Sequence, residues 1–123
     1  MRAICVDDEK VLMELTVALC REVPGIDEVT GFTLPREALA WVAEHPVDLA
    51  LLDVEMPGMT GIELAAAIKE RCPDMAVIFL TAYMDYSFRA WDTGASGFEI
   101  KPLSAEKIQK QLSMLRYPVR GLV

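Results

Sequence analysis

A chain of 123 residues with 53% hydrophobic and 25% charged residues has the make-up of one compact soluble domain, which excludes disordered and fibrous classes. Its formal charge of −7, from 19 acids against 12 bases, repels a phosphate backbone and argues against direct binding of DNA or RNA. No apolar stretch approaches the length of a membrane span, and Met1-Arg2 leads straight into a strand-like run, so the expected location is the cytoplasm.

Strand-like and helix-like segments alternate five times along the chain. Arg2–Val6 reads as the first strand. Lys10–Glu22 follows as a helix with Val11, Leu12, Leu15, Ala18 and Leu19 at helical spacing, ended by Pro24-Gly25. Glu28–Phe32 is a short second strand, and Pro35–Glu44 a helix stopped before Pro46. Val47–Asp53 is almost wholly apolar, as a central strand covered on both faces should be. Thr60-Gly61-Ile62-Glu63 matches a capping box for the next helix, which Pro73 terminates near Arg71. Ala76–Thr81 is the fourth strand, Tyr86–Thr93 a fourth helix stopped by Gly94, and Phe98–Lys101 the fifth strand. Ser104 caps a last helix with Ile108, Leu112 and Leu115 on one face.

The alternation predicts an α/β fold, a doubly wound five-stranded parallel sheet with helices on both faces. Residues 1–116 are expected to form the domain. Residues 117–123, with Pro118 and Gly121, read as a C-terminal tail or the start of a linker.

Four strand ends carry the chemistry. Asp53 ends an apolar strand just before the turn-like Met56-Pro57-Gly58-Met59, which puts it at the carboxyl edge of the sheet, where such folds hold their ligands. Asp7-Asp8 ends the first strand, Thr81 the fourth and Lys101-Pro102 the fifth. Asp7-Asp8 alone reads equally well as a cap for the following helix. Joined by Asp53, three converging carboxylates would repel one another unless a cation neutralised them, and hard oxygen donors select Mg²⁺ or Mn²⁺. Asp53 can then act as a nucleophile that forms an acyl phosphate, with Lys101 and the Thr81 hydroxyl on phosphoryl oxygens.

Other residue types narrow the field. Cys5, Cys20 and Cys72 are odd in number and lack metal-ligand spacing, so buried free thiols are expected. His45 is the only histidine and falls in a loop, which argues against a hydrolytic triad or a histidine phosphodonor. Five of the nine aromatic residues, Tyr83, Tyr86, Phe88, Trp91 and Phe98, fall between residues 83 and 98. Core packing accounts for some of them, and a protein-binding surface downstream of Thr81 is the sharper expectation.

The segments VDDE (6–9), LLDVEMPGMTGIEL (51–64), FLTAY (79–83) and GFEIKP (97–102) resemble the receiver domain of bacterial two-component response regulators, in the right order from Arg2 to about Leu115. The stretch Tyr83–Gly97 looks most like receivers of the LytTR-output type. The resemblance implies that Asp53 is the phosphoacceptor for a sensor histidine kinase, and that the domain is a regulator whose only chemistry is self-phosphotransfer and autodephosphorylation. It also implies that Asp8 is a direct ligand of Mg²⁺ or Mn²⁺, that Asp7 acts through water, and that Glu55 gives its backbone carbonyl. Thr81 and Lys101 would bind the phosphoryl group, the Lys101-Pro102 peptide would be cis, and Thr81 with Phe98 would form the switch. Phe98 stands where a tyrosine is commoner and so lacks a switch hydroxyl, while Glu55 and Tyr83 occupy positions that tune the lifetime of the phosphoryl group. Phosphorylation would act through the face of the fourth helix, fifth strand and last helix, giving a homodimer that controls an output domain or partner, with transcription one such output.

Two other functions fit the same fold. An FMN-binding flavodoxin-like module needs a neutral phosphate loop after the first strand, where Asp7-Asp8-Glu9 stands instead. An aspartyl-phosphate phosphohydrolase would place its nucleophile after the first strand with a second acid two residues on. Here the reactive acid ends the third strand.

Overall fold

The computed structural model describes residues 1–82 and 97–115. Five strands, β1 (Arg2–Val6), β2 (Glu28–Phe32), β3 (Leu49–Asp53), β4 (Ala76–Thr81) and β5 (Gly97–Ile100), form one sheet in the order β2-β1-β3-β4-β5. All four pairings are parallel, as the alternating pattern predicts. The described helices are α1 (Lys10–Arg21), α2 (Pro35–Glu44), α3 (Gly61–Arg71) and α4 (Ala105–Ser113). The predicted helix at Tyr86–Thr93, most of the aromatic cluster and the tail lie outside the described residues.

Alternation along the strands sends side chains to two cores. Ile4, Ala50, Leu52, Val77 and Phe79 pack with α2 and α3, whereas Ala3, Cys5, Leu49, Leu51 and Ile78 pack with α1 and α4. Every residue of β3 is buried, which is why its sequence is continuously apolar up to Asp53. Asp53 is thus the one charged group on a fully buried strand.

Element ends follow the local chemistry. Thr60 and Glu63 form the reciprocal capping box at the start of α3. Ser104 caps α4 by accepting from the Lys107 N–H at 3.2 Å. Strand β3 starts at Leu49 rather than Val47, because Asp48 is already turned to Arg2, accepting its N–H at 2.9 Å. Cys5 and Cys20 are buried with their sulfurs 3.9 Å apart, whereas Cys72 is only half-buried. His45 is exposed and its ring stacks on Trp41 at 3.6 Å. None of the described helices is long and apolar enough to cross a membrane.

Candidate functional site

In an open parallel sheet the binding crevice lies beyond the carboxyl ends of the strands, where the strand order reverses. The reversal here falls between β1 and β3, which are followed by α1 and α3 on opposite faces of the sheet. Asp7 and Asp8 leave the end of β1, and Asp53 ends β3 beside it. One carboxylate oxygen from each of the three lies within 4.8 Å of the others. Asp7 and Asp53 are buried, and Asp8 is exposed.

The reading of Asp7-Asp8 as a helix cap alone is corrected by the structure. Glu9 holds the N-cap position of α1 and makes no side-chain cap bond. Asp7 Oδ1 instead accepts from the Glu9 N–H at 3.0 Å and shapes the turn before the helix.

Lys101 enters from the end of β5. Its Nζ donates to Asp7 Oδ2 at 3.1 Å and lies 3.2 Å from Asp53 Oδ1. The Lys101–Pro102 peptide bond is cis, and the Lys101 N–H donates to the Thr81 carbonyl at 2.8 Å. Thr81, almost wholly buried, stands one position beyond Leu80, the register partner of Asp53. Glu55 follows two residues after Asp53 on the exposed side of the β3–α3 loop. Phe98, half-buried, packs against the core shared with α2 and α3.

One ammonium among three carboxylates leaves a formal charge of −2, and the donors are all hard oxygens. That set fits a divalent cation such as Mg²⁺. Burial pushes the Asp53 carboxyl up to about 6, with Asp7 and Asp8 adding to the rise and Lys101 opposing it. Burial opposes the charge on Lys101, but its attraction to Asp53 and Asp7 outweighs that and raises its pKa. A single lysine shared by two acids compensates them only in part. The site is short of positive charge.

The loop after Asp53 is built around two glycines. Gly58, following Pro57, has φ +84, a conformation that side chains rarely adopt. Gly61 opens α3 with its N–H donating to the Val54 carbonyl at 2.9 Å, and a Cβ there would run into the carbonyl of Asp53. Gly61 therefore sets how closely the α3 terminus approaches Asp53. The sequence reading missed this role, although a glycine eight residues after a strand-end acid, just inside a capping box, is its signal.

A model of the response regulator receiver domain matches residues 3–113. The positive alginate biosynthesis regulatory protein of Pseudomonas aeruginosa is 31% identical over 121 residues, covering 98% of this chain and 49% of its own length. An uncharacterised response regulatory protein of Vibrio cholerae is 34% identical over 118 residues, covering 89% of this chain and 45% of its own. The chain spans about half the length of these curated relatives. Among solved structures, the response regulator TrrA of Thermotoga maritima in complex with Mg²⁺ and BeF superposes with a TM-score of 0.81 at 30% identity, covering 91% of this chain and 96% of that one.

Proposed function

The chain belongs to the response regulator receiver domain family of two-component signalling, and on that premise we propose that Asp53 accepts a phosphoryl group from a sensor histidine kinase in the presence of Mg²⁺ or Mn²⁺. The observation that carries this reading is the placement of Asp53, a buried carboxylate at a strand end with Asp7, Asp8 and Lys101 around it.

Asp8 and Asp53 would hold the cation directly, Asp7 through water, and Glu55 through its backbone carbonyl. When bound, the cation neutralises phosphoryl oxygens and lowers the repulsion that an anionic donor meets. Asp53 attacks the phosphorus through a carboxylate oxygen, and the bond from phosphorus to the donor nitrogen breaks. Lys101 holds a phosphoryl oxygen as a fixed point charge, and the Thr81 hydroxyl donates to another. Water later attacks the phosphorus, the bond to the Asp53 oxygen breaks, and inorganic phosphate leaves with the carboxylate restored, so the only reactions are the domain's own phosphorylation and dephosphorylation.

Residues 1–116 would act as the receiver, with residues 117–123 as its tail or the start of a linker. An output domain or a separate partner would read the face of Tyr86–Thr93, β5 and α4 in the cytoplasm, by way of a phosphorylation-dependent homodimer and without nucleic-acid contact by this domain. The deciding measurement is intact mass after incubation with acetyl phosphate. One added phosphate is expected with Mg²⁺, and none without the cation or in Asp53→Asn. Equal labelling of Asp53→Asn would overturn the assignment.

A further inference from the structure

The last helix grips β5 by its backbone. Gln111 Nε2 donates to the Phe98 carbonyl at 3.0 Å. Lys107 Nζ donates to the Ile100 carbonyl at 2.9 Å and to the Pro102 carbonyl at 2.8 Å. Lys107 and Gln111 are four apart on α4 and so leave it on one face. Two of the targets, the Phe98 and Ile100 carbonyls, are alternate carbonyls of β5, at the edge of the described sheet and turned away from β4, and the third lies just beyond the strand end.

Ile100 and Pro102 flank Lys101. The N–H of Lys101 is fixed from β4 by the Thr81 carbonyl at 2.8 Å. Lys107 fixes the opposite side, with one ammonium bridging the two carbonyls around that residue. An ammonium has three donors, and charge-assisted bonds are stronger than neutral ones. The carboxylate of Glu99 stands farther off, at 3.9 Å, so the backbone carbonyls take the shorter contacts.

We propose that Lys107 is a positioning residue for Lys101, clamping the carbonyls of the residues on both sides of it and so setting where its ammonium stands between Asp7 and Asp53. Its value for phosphoryl transfer rests on the reading of Lys101 as a phosphoryl contact. A long side chain amplifies a small backbone rotation at its root. Misplacing a reacting or binding group by about 1 Å can cost about 10²-fold in rate.

The test compares the chain with Lys107→Met and Lys107→Arg in two measurements. The first is the rate of phosphorylation by acetyl phosphate at saturating Mg²⁺, beside the Mg²⁺ affinity. Lys107→Met should slow labelling by about tenfold or more with Mg²⁺ affinity within about twofold of the parent, and Lys107→Arg, which still donates to two carbonyls, should recover most of the rate. The second is the NMR signal of the Lys101 ammonium, slow to exchange while held between two carboxylates. It should broaden or vanish in Lys107→Met and persist in Lys107→Arg. An unchanged Lys101 signal together with parent-like labelling in Lys107→Met overturns the clamp, as does a parallel loss of Mg²⁺ affinity. A parent chain that takes no phosphate, while its Lys101 signal still depends on Lys107, overturns the phosphoacceptor reading and leaves the clamp standing. Should Lys107→Met fail to fold, Lys107→Gln is judged by the same criteria.

Discussion

Gly61 lies against Asp53 so closely that any side chain on it would meet the Asp53 carbonyl and the Val54 backbone. In an ordinary helix, replacing glycine by alanine stabilises by about 0.5–1 kcal/mol. Forcing a methyl into closed packing costs about 1–3 kcal/mol, and here the obstacle is backbone, which yields least. Gly61→Ala is therefore expected to destabilise the fold and to slow labelling of Asp53, because the strand end must shift. Urea unfolding beside phosphorylation kinetics checks both. A variant more stable than the parent and labelled at the same rate would show that α3 has room to retreat.

The two acids after β1 differ in how much of their capacity is committed. Asp7 Oδ1 accepts from Glu9 and Asp7 Oδ2 from Lys101, whereas Asp8 is exposed at the mouth of the site. Mg²⁺ affinity should accordingly fall further in Asp8→Ala than in Asp7→Ala, where a group acting through water is lost at a cost of about 10–100-fold. Removing Asp7 takes a negative charge from the site but no direct ligand, which is why its loss is the smaller. Calorimetric titration of both variants separates them, and equal affinities would remove the distinction between direct and water-bridged ligand.

Asp53 makes the site responsive to pH. Its carboxyl is pushed up to about 6, chiefly by burial, so the folded state holds this proton more tightly than the unfolded chain does. For the metal-free protein, the stability contributed by this group is fully present below about 3.8 and is lost as pH rises through about 6. A cation competes with that proton for the same oxygens. Apparent Mg²⁺ affinity should therefore drop as pH is lowered through about 6, and Asp53→Asn should abolish the step. Mg²⁺ titrations across that range are decisive, since a parent profile that matches the Asn variant would detach the proton from the metal site.

Much of this architecture was legible because periodicity and strand-end chemistry agree. The continuous apolar run before Asp53 could only be a strand covered on both faces, and the capping box marked the start of α3 to the residue. Asp7, Asp8, Asp53 and Lys101 could be gathered from sequence, since a parallel sheet brings the ends of its strands to one edge. Two kinds of information were not available that way. The Asp7-Asp8 pair carried a capping signal that the chain does not use, because the turn places Glu9 at the cap. Lys107 carried no signal at all, since its role depends on how α4 packs beside β5, which no local pattern encodes.

On the proposed reading, phosphorylation at Asp53 would be passed outward through Thr81 and Phe98. Thr81 follows the residue paired with Asp53, and its carbonyl receives the Lys101 N–H. Phe98 pairs with Phe79 and is half-buried against the core. A phosphoryl group that draws the Thr81 hydroxyl inward would shift the residues after β4 and open space for that ring. Two discrete packings would then exist, and phosphate would need to bias them by only a few kcal/mol. The residues that follow, Tyr83, Tyr86, Phe88 and Trp91, are types enriched at interfaces, and a second copy of the same face is the simplest symmetric partner. Weak self-association is expected without phosphate and a tighter dimer with a beryllofluoride mimic, with Thr81→Ala losing most of that response. Sedimentation of both proteins, each with and without the mimic, makes the comparison. An equal response in Thr81→Ala would take the relay away from this hydroxyl and return the aromatic residues to the core.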